Sequence, residues 1–441
     1  MTPSKTSPDL PPSRSRRRLL GRLAAGGLVA SQAAAAGELL RPLEVAPSSR
    51  TPGAPVLDHP YGVPSPREAD VVRRSARAWP LPGAASSMTP LADLFGTITP
   101  NGLVYERHHG GVPDIDSDQH RLAIHGLVRT PKLFTMDDLL RLPAESRIHF
   151  LECSGNTGSE WNGPSGLPVQ LTHGLLSCCE WTGVRLSTLL EEVGGVSTQG
   201  KTNDGPWLLA EGADAAAMTR SLPLHRILDR ALVVYAQNGE RLRPENGYPL
   251  RLIVPGFEGN TNVKWLRRLK VVDAPLQTRE ETSKYTNLLA DGSARQFVFE
   301  MDAKSVITRP SPGHRLTTHG YYPISGIAWS GRGTIRKVEV STDGGASWRL
   351  ARLESAARDR FSCHRFHGLR ATHACGTGRR ARPEFAVPLQ RDPAMARRCQ
   401  RRGAQCVSAV QPVVPSVQRA SRWCRLWRSL HVQRLLPMPA M

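Results

Sequence analysis

Arg147-Ile148-His149-Phe150-Leu151-Glu152-Cys153-Ser154-Gly155-Asn156-Thr157-Gly158-Ser159-Glu160-Trp161 is the stretch on which the fold and chemistry of this chain turn. Polar and apolar side chains alternate from Arg147 to Leu151, which predicts a strand, and the run of Ser, Gly, Asn and Thr after it predicts where that strand ends. Cys153 therefore falls at a strand-to-loop corner. Its small neighbours Ser154 and Gly155 let a large ligand approach the backbone, and a thiolate is a soft donor suited to a soft metal. A lone cysteine is more often a small buried hydrophobe, so the functional reading needs support from the rest of the chain.

Outward from this corner, helices and strands mix without a regular βαβ rhythm. Val104 to His109 and Arg121 to Val128 read as strands. Thr135 is an N-cap with early carboxylates behind it, which predicts a short helix through Leu142. Val184 to Val193 has Leu186, Leu189, Leu190 and Val193 on one helical face. Further strands are predicted at 207–210, 232–237, 250–254 and 266–272. No GxGxxG follows a strand, which argues against a dinucleotide-binding domain. From about Pro275 the texture changes to short strands: 296–300, 305–308, 322–329 and 334–341, then an Asp343-Gly344-Gly345 turn into Ser347-Trp348-Arg349-Leu350. That pattern indicates a β-sandwich.

A chain of 441 residues is too long for one core, so two domains with appendages are expected. The formal charge of +20 invites a nucleic-acid reading until the charge is located. Residues 1–22 carry +5 and residues 358–441 carry +14, with seventeen Arg and no Lys, which leaves the body at about +1. A near-neutral body with basic ends and no recognition helix excludes a nucleic-acid groove. Of the eight cysteines, Cys153, Cys178 and Cys179 lie in the body and five lie beyond residue 358, with no CxxC, zinc-finger spacing or CxxCH haem site. Three body cysteines, two of them adjacent, argue against a disulfide framework in so large a domain.

Ser13-Arg14-Ser15-Arg16-Arg17-Arg18-Leu19-Leu20-Gly21 precedes an apolar, small-residue run and then Ala33-Ala34-Ala35-Ala36. A basic segment, an apolar segment and an A-x-A site form a bacterial export signal, here of twin-arginine type, over residues 1–36. No other run has the ~20 apolar residues a spanning helix needs, so a periplasmic protein outside the membrane is expected. Residues 37–85, rich in Pro, Gly, Ser and Arg, read as an extended lead-in.

Three segments join Cys153 in suggesting one anionic ligand. Arg107 and His109 stand at i and i+2 on a strand and so share a face. Pro244-Glu245-Asn246-Gly247-Tyr248-Pro249-Leu250-Arg251 places Arg251 on a strand after a turn. Gly256-Phe257-Glu258-Gly259-Asn260-Thr261-Asn262-Val263-Lys264-Trp265 is a Gly/Asn-rich loop able to offer backbone N–H groups and the Lys264 charge to a phosphate. Each alone is commonly structural; together they converge.

The ordered set Arg107-His108-His109, Glu152-Cys153-Ser154-Gly155-Asn156, Glu180-Trp181-Thr182-Gly183-Val184-Arg185-Leu186, Asn246-Gly247-Tyr248-Pro249-Leu250-Arg251 and Val263-Lys264-Trp265-Leu266 resembles the sulfite oxidase family of molybdenum enzymes over roughly residues 90–355. Leu171-Thr172-His173-Gly174-Leu175-Leu176-Ser177 and Ala303-Lys304-Ser305-Val306-Ile307-Thr308-Arg309-Pro310 are similar to its sulfane dehydrogenase molybdenum subunits, the SoxC group. The resemblance implies an α+β fold: a mixed α/β molybdopterin-binding catalytic domain over 86–275, then an immunoglobulin-like dimerisation sandwich over 276–357. It implies a molybdenum-molybdopterin cofactor with Cys153 as the metal-ligating thiolate. It implies Arg107 as the substrate-anion arginine, Tyr285 as the active-site tyrosine and His109 as a pterin contact. Arg251 and Lys264 match cationic contacts to the cofactor phosphate, Asp214 matches a cofactor-contacting aspartate, and Asn246 stands where many relatives have His. A second substrate-site arginine is expected in the sandwich and has no assigned position.

Sulfur oxidation by oxygen-atom transfer needs a centre that takes two electrons and gives up oxygen, which no side chain does. Without a haem motif of its own, the chain must pass electrons to a separate protein, a SoxD-like c-type cytochrome. The substrate is then sulfane sulfur on a sulfur-carrier protein or, alternatively, free sulfite. A cofactor-free exported binding module is the reading from another class, and metal content separates the two. Past Arg358, Arg-, Cys- and Pro-laden sequence replaces the strands that should finish the sandwich. Half a sandwich leaves open edges, and residues 358–441 read as an aberrant tail from a shifted frame. Sequencing the 3′ end of the gene is expected to reveal the shift, and an intact frame refutes it.

Overall fold

The computed structural model describes residues 61–75, 83–160, 163, 165–197, 205–289, 291–315, 320–343, 345–354, 363–367, 371–373 and 431–432. The export signal and most of the tail lie outside these. The chain divides into two compact units, Met1–Pro66 and Arg67–Met441, and the description below concerns the second.

The alternating stretch forms the strand Ala144–Glu152, paired antiparallel along its whole length with Leu176–Arg185, from Ala144 opposite Val184 to Glu152 opposite Leu176. Outward from Leu176–Arg185 come Leu232–Gln237 and then Glu240–Arg241, and Arg251–Ile253 also pairs with Leu232–Gln237, completing a five-stranded sheet. A second five-stranded sheet runs Lys132–Phe134, Leu122–Gly126, Leu266–Val272, Trp207–Gly212, Thr219–Pro223. Its central Leu266–Val272 is parallel to Leu122–Gly126 and antiparallel to Trp207–Gly212. Leu122, Ile124, Leu186, Leu189, Leu252 and Leu269, all essentially without exposed surface, belong to one core that joins the two sheets.

The strand Leu176–Arg185 was not visible as a strand in the sequence, which placed a helix from Val184. The helix starts two residues later, at Leu186–Glu192. The reason is burial on both faces: Cys179 and Trp181 face one core while Leu176 and Cys178 face another, so alternation is lost as it is in any doubly covered strand. Thr219–Pro223 was missed for the same reason, four of its five residues being buried. The short helix capped by Thr135 is Met136–Leu140, with the Asp138 carboxylate returning to the Thr135 N–H as a capping box.

Beyond residue 300, Lys304–Arg309, Ser325–Trp329, His364–His367 and Arg352–Leu353 form a four-stranded sheet, with smaller pairings around it. His364–His367 lies past Arg358, where the sequence showed little strand periodicity. Phe297 to Phe299, expected within a strand, instead form an extended segment in which the Phe297 and Phe299 rings stack on one another, Phe299 stacks on Phe257, and Trp207 packs tilted against both. Only Glu339–Ser341 of the expected 334–341 strand is regular.

The two regions are joined at Glu152, which has no exposed surface. Its Oε1 accepts from Lys304 Nζ at 2.9 Å and Asn156 Nδ2 at 3.0 Å, and its Oε2 accepts from Trp329 Nε1 at 2.7 Å. Lys304 and Trp329 are themselves cross-strand partners, so one residue pair of the second domain clasps the residue before Cys153. Lys304→Met should cost about 2 kcal/mol in urea unfolding, below the range for a fully buried pair because the ammonium is partly exposed. Glu152→Gln in the same chain should recover part of that loss, and a double loss equal to the sum of the two single losses would show that the pair does not couple.

Candidate active site

The strand ends at Glu152 and Cys153 turns the corner, as the alternation requires. Its N–H donates to Leu175 O at 3.0 Å, and its carbonyl accepts from the Asn156 N–H at 3.0 Å, so the loop is fastened on both sides of the sulfur. Gly259 passes directly beneath. A Cβ there would lie 2.7 Å from Glu152 O and 3.1 Å from the Cys153 Cα, which only glycine avoids. Burial pushes the Cys153 thiol above its ordinary pKa, while a Gly155 backbone hydrogen bond and the Arg107 charge pull it down.

Arg107, His109, Cys153, Asp214, Arg251, Lys264 and Tyr285 line a single cleft enclosing about 660 Å³, part of it open to solvent. Seven of the eight residues expected from the sequence are thus brought together. Asn246, the eighth, is not in the lining; it is buried beside it, with its carbonyl accepting from Arg251 Nη1 at 3.0 Å. His109 Nε2 and the Tyr285 hydroxyl are 3.1 Å apart. Burial and the charge of Arg107 hold His109 at about 4, so it is neutral at physiological pH and can either donate to or accept from the phenol.

Lys264 is fixed by three acceptors: Glu245 O at 3.0 Å, Arg107 O at 3.4 Å and His108 Nδ1 at 2.8 Å. An ammonium has only donors, so His108 Nδ1 accepts and the His108 proton sits on Nε2, 3.6 Å from Glu106. The Trp265 ring lies 4.2 Å from the ammonium. Trp265 has φ +53, a left-handed backbone that costs a bulky residue free energy and is often found at ligand sites. Behind this group, Arg73 meets Glu106, Glu245 at 3.6 Å and Val104 O at 3.2 Å. The part of the lead-in around Arg73 is therefore built into the wall of the site. His108 and Trp265 fall inside the motifs that carry the family resemblance but had no assigned role, and Arg73 had no signal at all, because His108 meets Lys264, Trp265 Nε1 donates to Pro244 O and Arg73 meets Glu106 across stretches too long to leave a local pattern.

The cleft fits an anionic cofactor on the evidence of its own atoms. Arg251 and Lys264 are both buried cations, and burial lowers the pKa of each, Arg251 to about 10. Arg251 Nε and both side-chain amide atoms of Asn246 are buried without a hydrogen-bond partner. Buried polar groups in native proteins are almost always paired, so these atoms are suited to a phosphate-bearing group. Among the described residues no cluster of three His, Cys, Asp or Glu could hold a metal. A metal at Cys153 would have that sulfur as a protein ligand and would draw further coordination from a cofactor in the cleft.

Residues 109–280 match the oxidoreductase molybdopterin binding domain, and residues 295–377 match the Mo-co oxidoreductase dimerisation domain. The solved sulfane dehydrogenase SoxCD from Paracoccus pantotrophus is 45% identical, with a TM-score of 0.70, over 75% of this chain and 83% of that chain. The chain belongs to the sulfite oxidase family of molybdopterin oxidoreductases. Rat mitochondrial sulfite oxidase is 31% identical over 274 residues, covering 58% of this chain and 49% of that one. The NADH nitrate reductase of Ulva prolifera is 34% identical over 310 residues, covering 64% and 35%. The chain thus spans between a third and a half of the length of these curated relatives. As a member of the family it is an enzyme with a molybdenum-molybdopterin cofactor and a dimerisation domain after the catalytic one.

Mature protein should carry about one molybdenum per chain, matching its one cleft thiolate, and Cys153→Ala should lose it by elemental analysis. Arg251→Met should weaken retention of the pterin while preserving the fold, read as cofactor released on gel filtration.

Proposed function

We propose that this molybdenum oxidoreductase oxidises sulfur compounds in the periplasm, acting on protein-bound sulfane sulfur and passing electrons to a c-type cytochrome. The observation that carries this is the 45% identity with sulfane dehydrogenase SoxCD, well above the 31% to 35% shared with the sulfite oxidases and nitrate reductases. Free sulfite is the nearer alternative substrate. Nitrate is a further alternative, since the nitrate reductases of Ulva prolifera and Hordeum vulgare are 34% and 35% identical.

In this reading Cys153 supplies the protein thiolate to the metal. Asn246, Arg251 and Lys264 hold the anionic end of the pterin by charge and hydrogen bonds, with Asp214 and His109 beside it. When bound, the cofactor supplies the two-electron oxygen-atom chemistry that no side chain provides. Arg107 orients an anionic sulfur substrate as a planar cation, and Tyr285 offers its hydroxyl into the same space. The low dielectric of a half-buried cleft strengthens both interactions.

Export by a twin-arginine signal, a periplasmic location and a homodimer built through residues 295–377 belong to the same proposal. The basic N-terminal segment with its A-x-A site supports the first two, and the match to the dimerisation domain supports the third. Among the described residues no helix is long and apolar enough to cross a membrane.

The test is turnover of the purified, molybdenum-loaded chain on a persulfidated carrier protein, sulfite and nitrate, with and without a c-type cytochrome. Cytochrome-dependent oxidation of the carrier is expected. Equal activity on free sulfite alone would favour the sulfite dehydrogenase, and nitrate-only turnover would overturn the proposal. Arg107→Gln should lower kcat/KM by ~100-fold with molybdenum retained; loss of molybdenum would assign Arg107 to cofactor binding instead.

A further inference from the structure

Arg220 is the second residue of the strand Thr219–Pro223, opposite Ala210, and has no exposed surface. Its Nε, Nη1 and Nη2 are all buried without a hydrogen-bond partner. A guanidinium stays charged in a protein, and a buried charge without hydrogen bonds is costly. Such a residue is out of place in a strand whose neighbours Ser221 and Leu222 are ordinary core positions.

Its surroundings explain it. The guanidinium carbon lies 5.2 Å from the centroid of the Tyr285 ring, a cation against the face of an aromatic ring. The carboxylates of Glu281, Glu258 and Glu280 offset its charge from further away. Ser221, next along the strand, donates its N–H and its hydroxyl to the two oxygens of Glu281. Glu281 also accepts the Thr278 N–H at 3.1 Å and so caps the helix Arg279–Ser283. The Tyr285 N–H then folds back to Glu280 O at 2.9 Å. Tyr285 is thus held at its backbone by the capped helix, on its ring by Arg220, and at its hydroxyl by His109.

We propose that Arg220 is a positioning residue for Tyr285. It seats the ring against the cleft and keeps a fixed positive charge behind it, so that the hydroxyl presents a strong hydrogen bond to an anionic sulfur substrate. Arg220 itself, fully buried, does not touch that substrate. The class of substrate rests on the function proposed above; the contact between Arg220 and Tyr285 does not.

The test uses the mature, molybdenum-loaded full chain. Arg220→Met keeps the length of the side chain and removes its charge, and Arg220→Lys keeps the charge. Molybdenum content should be unchanged in both. Arg220→Met should lower kcat/KM for the persulfidated carrier protein by ~10–100-fold, with Arg220→Lys closer to the parent. In a Tyr285→Phe background, Arg220→Met should add little, because the two residues act as one. Independently of turnover, NMR of ring-labelled tyrosine should show the Tyr285 resonance, identified by its absence in Tyr285→Phe, shifted or broadened by Arg220→Met. Equal losses with Tyr285 and with Phe at that position, loss of molybdenum, or an unmoved Tyr285 resonance would each overturn the proposal. If Arg220→Met does not fold, Arg220→Gln, which also removes the charge, carries the same cycle and the same resonance. If the chain turns over no sulfur compound, the proposed function fails while the resonance still decides the role of Arg220.

Discussion

A single carboxylate fixes the geometry on which the site depends. Glu152 is buried with three donors, one from its own loop and two from a cross-strand pair of the second domain. Each hydrogen bond to a charged acceptor is stronger than a neutral one, and a buried carboxylate left short of donors is heavily penalised. The corner that presents Cys153 therefore holds its shape only while Lys304 and Trp329 are in place. The second domain does more than extend the chain: it closes the hydrogen-bond shell of the residue adjoining the Cys153 sulfur.

The opposite wall is organised by charge of the other sign. Lys264 is neutralised by carbonyls, His108 and a ring face rather than by a direct carboxylate partner. Arg251 has one carbonyl and the Trp181 ring. Arg73 holds Glu106, which stands one layer back, and Glu245, which with Asp214 reaches the cleft lining. With Arg107, Arg251 and Lys264 in the lining against Asp214 and Glu245, the cations outnumber the carboxylates, a balance that favours an anionic cofactor and an anionic substrate.

Much of this was legible along the chain. Alternation at Arg147 to Leu151 ended where Ser154 and Gly155 began, and that placed the sulfur at a corner. Spacing put Arg107 and His109 on one side of a strand, and both reach the cleft. The N-cap at Thr135 marked a helix correctly because capping is a local interaction. Local signals failed where burial removed them. Leu176 to Arg185 reads as mixed polar and apolar sequence yet is covered on both faces, and the strand carrying Arg220 is buried for four of five residues. Phe297 to Phe299 looked like a strand because aromatic residues favour strands, but their rings are used in stacking rather than in a ladder.

By itself the sequence determined the kinds of group available: one cysteine at a loop corner, cations in three separate segments, a capped helix at Thr135, and a change of texture near residue 275. These follow from interactions between residues close along the chain, which leave a periodic or compositional trace. Only the tertiary structure decided which groups meet. The contacts of Glu152 with Lys304 and Trp329, of Lys264 with His108, of Arg73 with Glu106, and of Arg220 with Tyr285 span 33 to 177 residues where hydrogen bonds are concerned. Contacts at that separation leave no local pattern, because what selects them is the packing of two sheets and a second domain around one cleft.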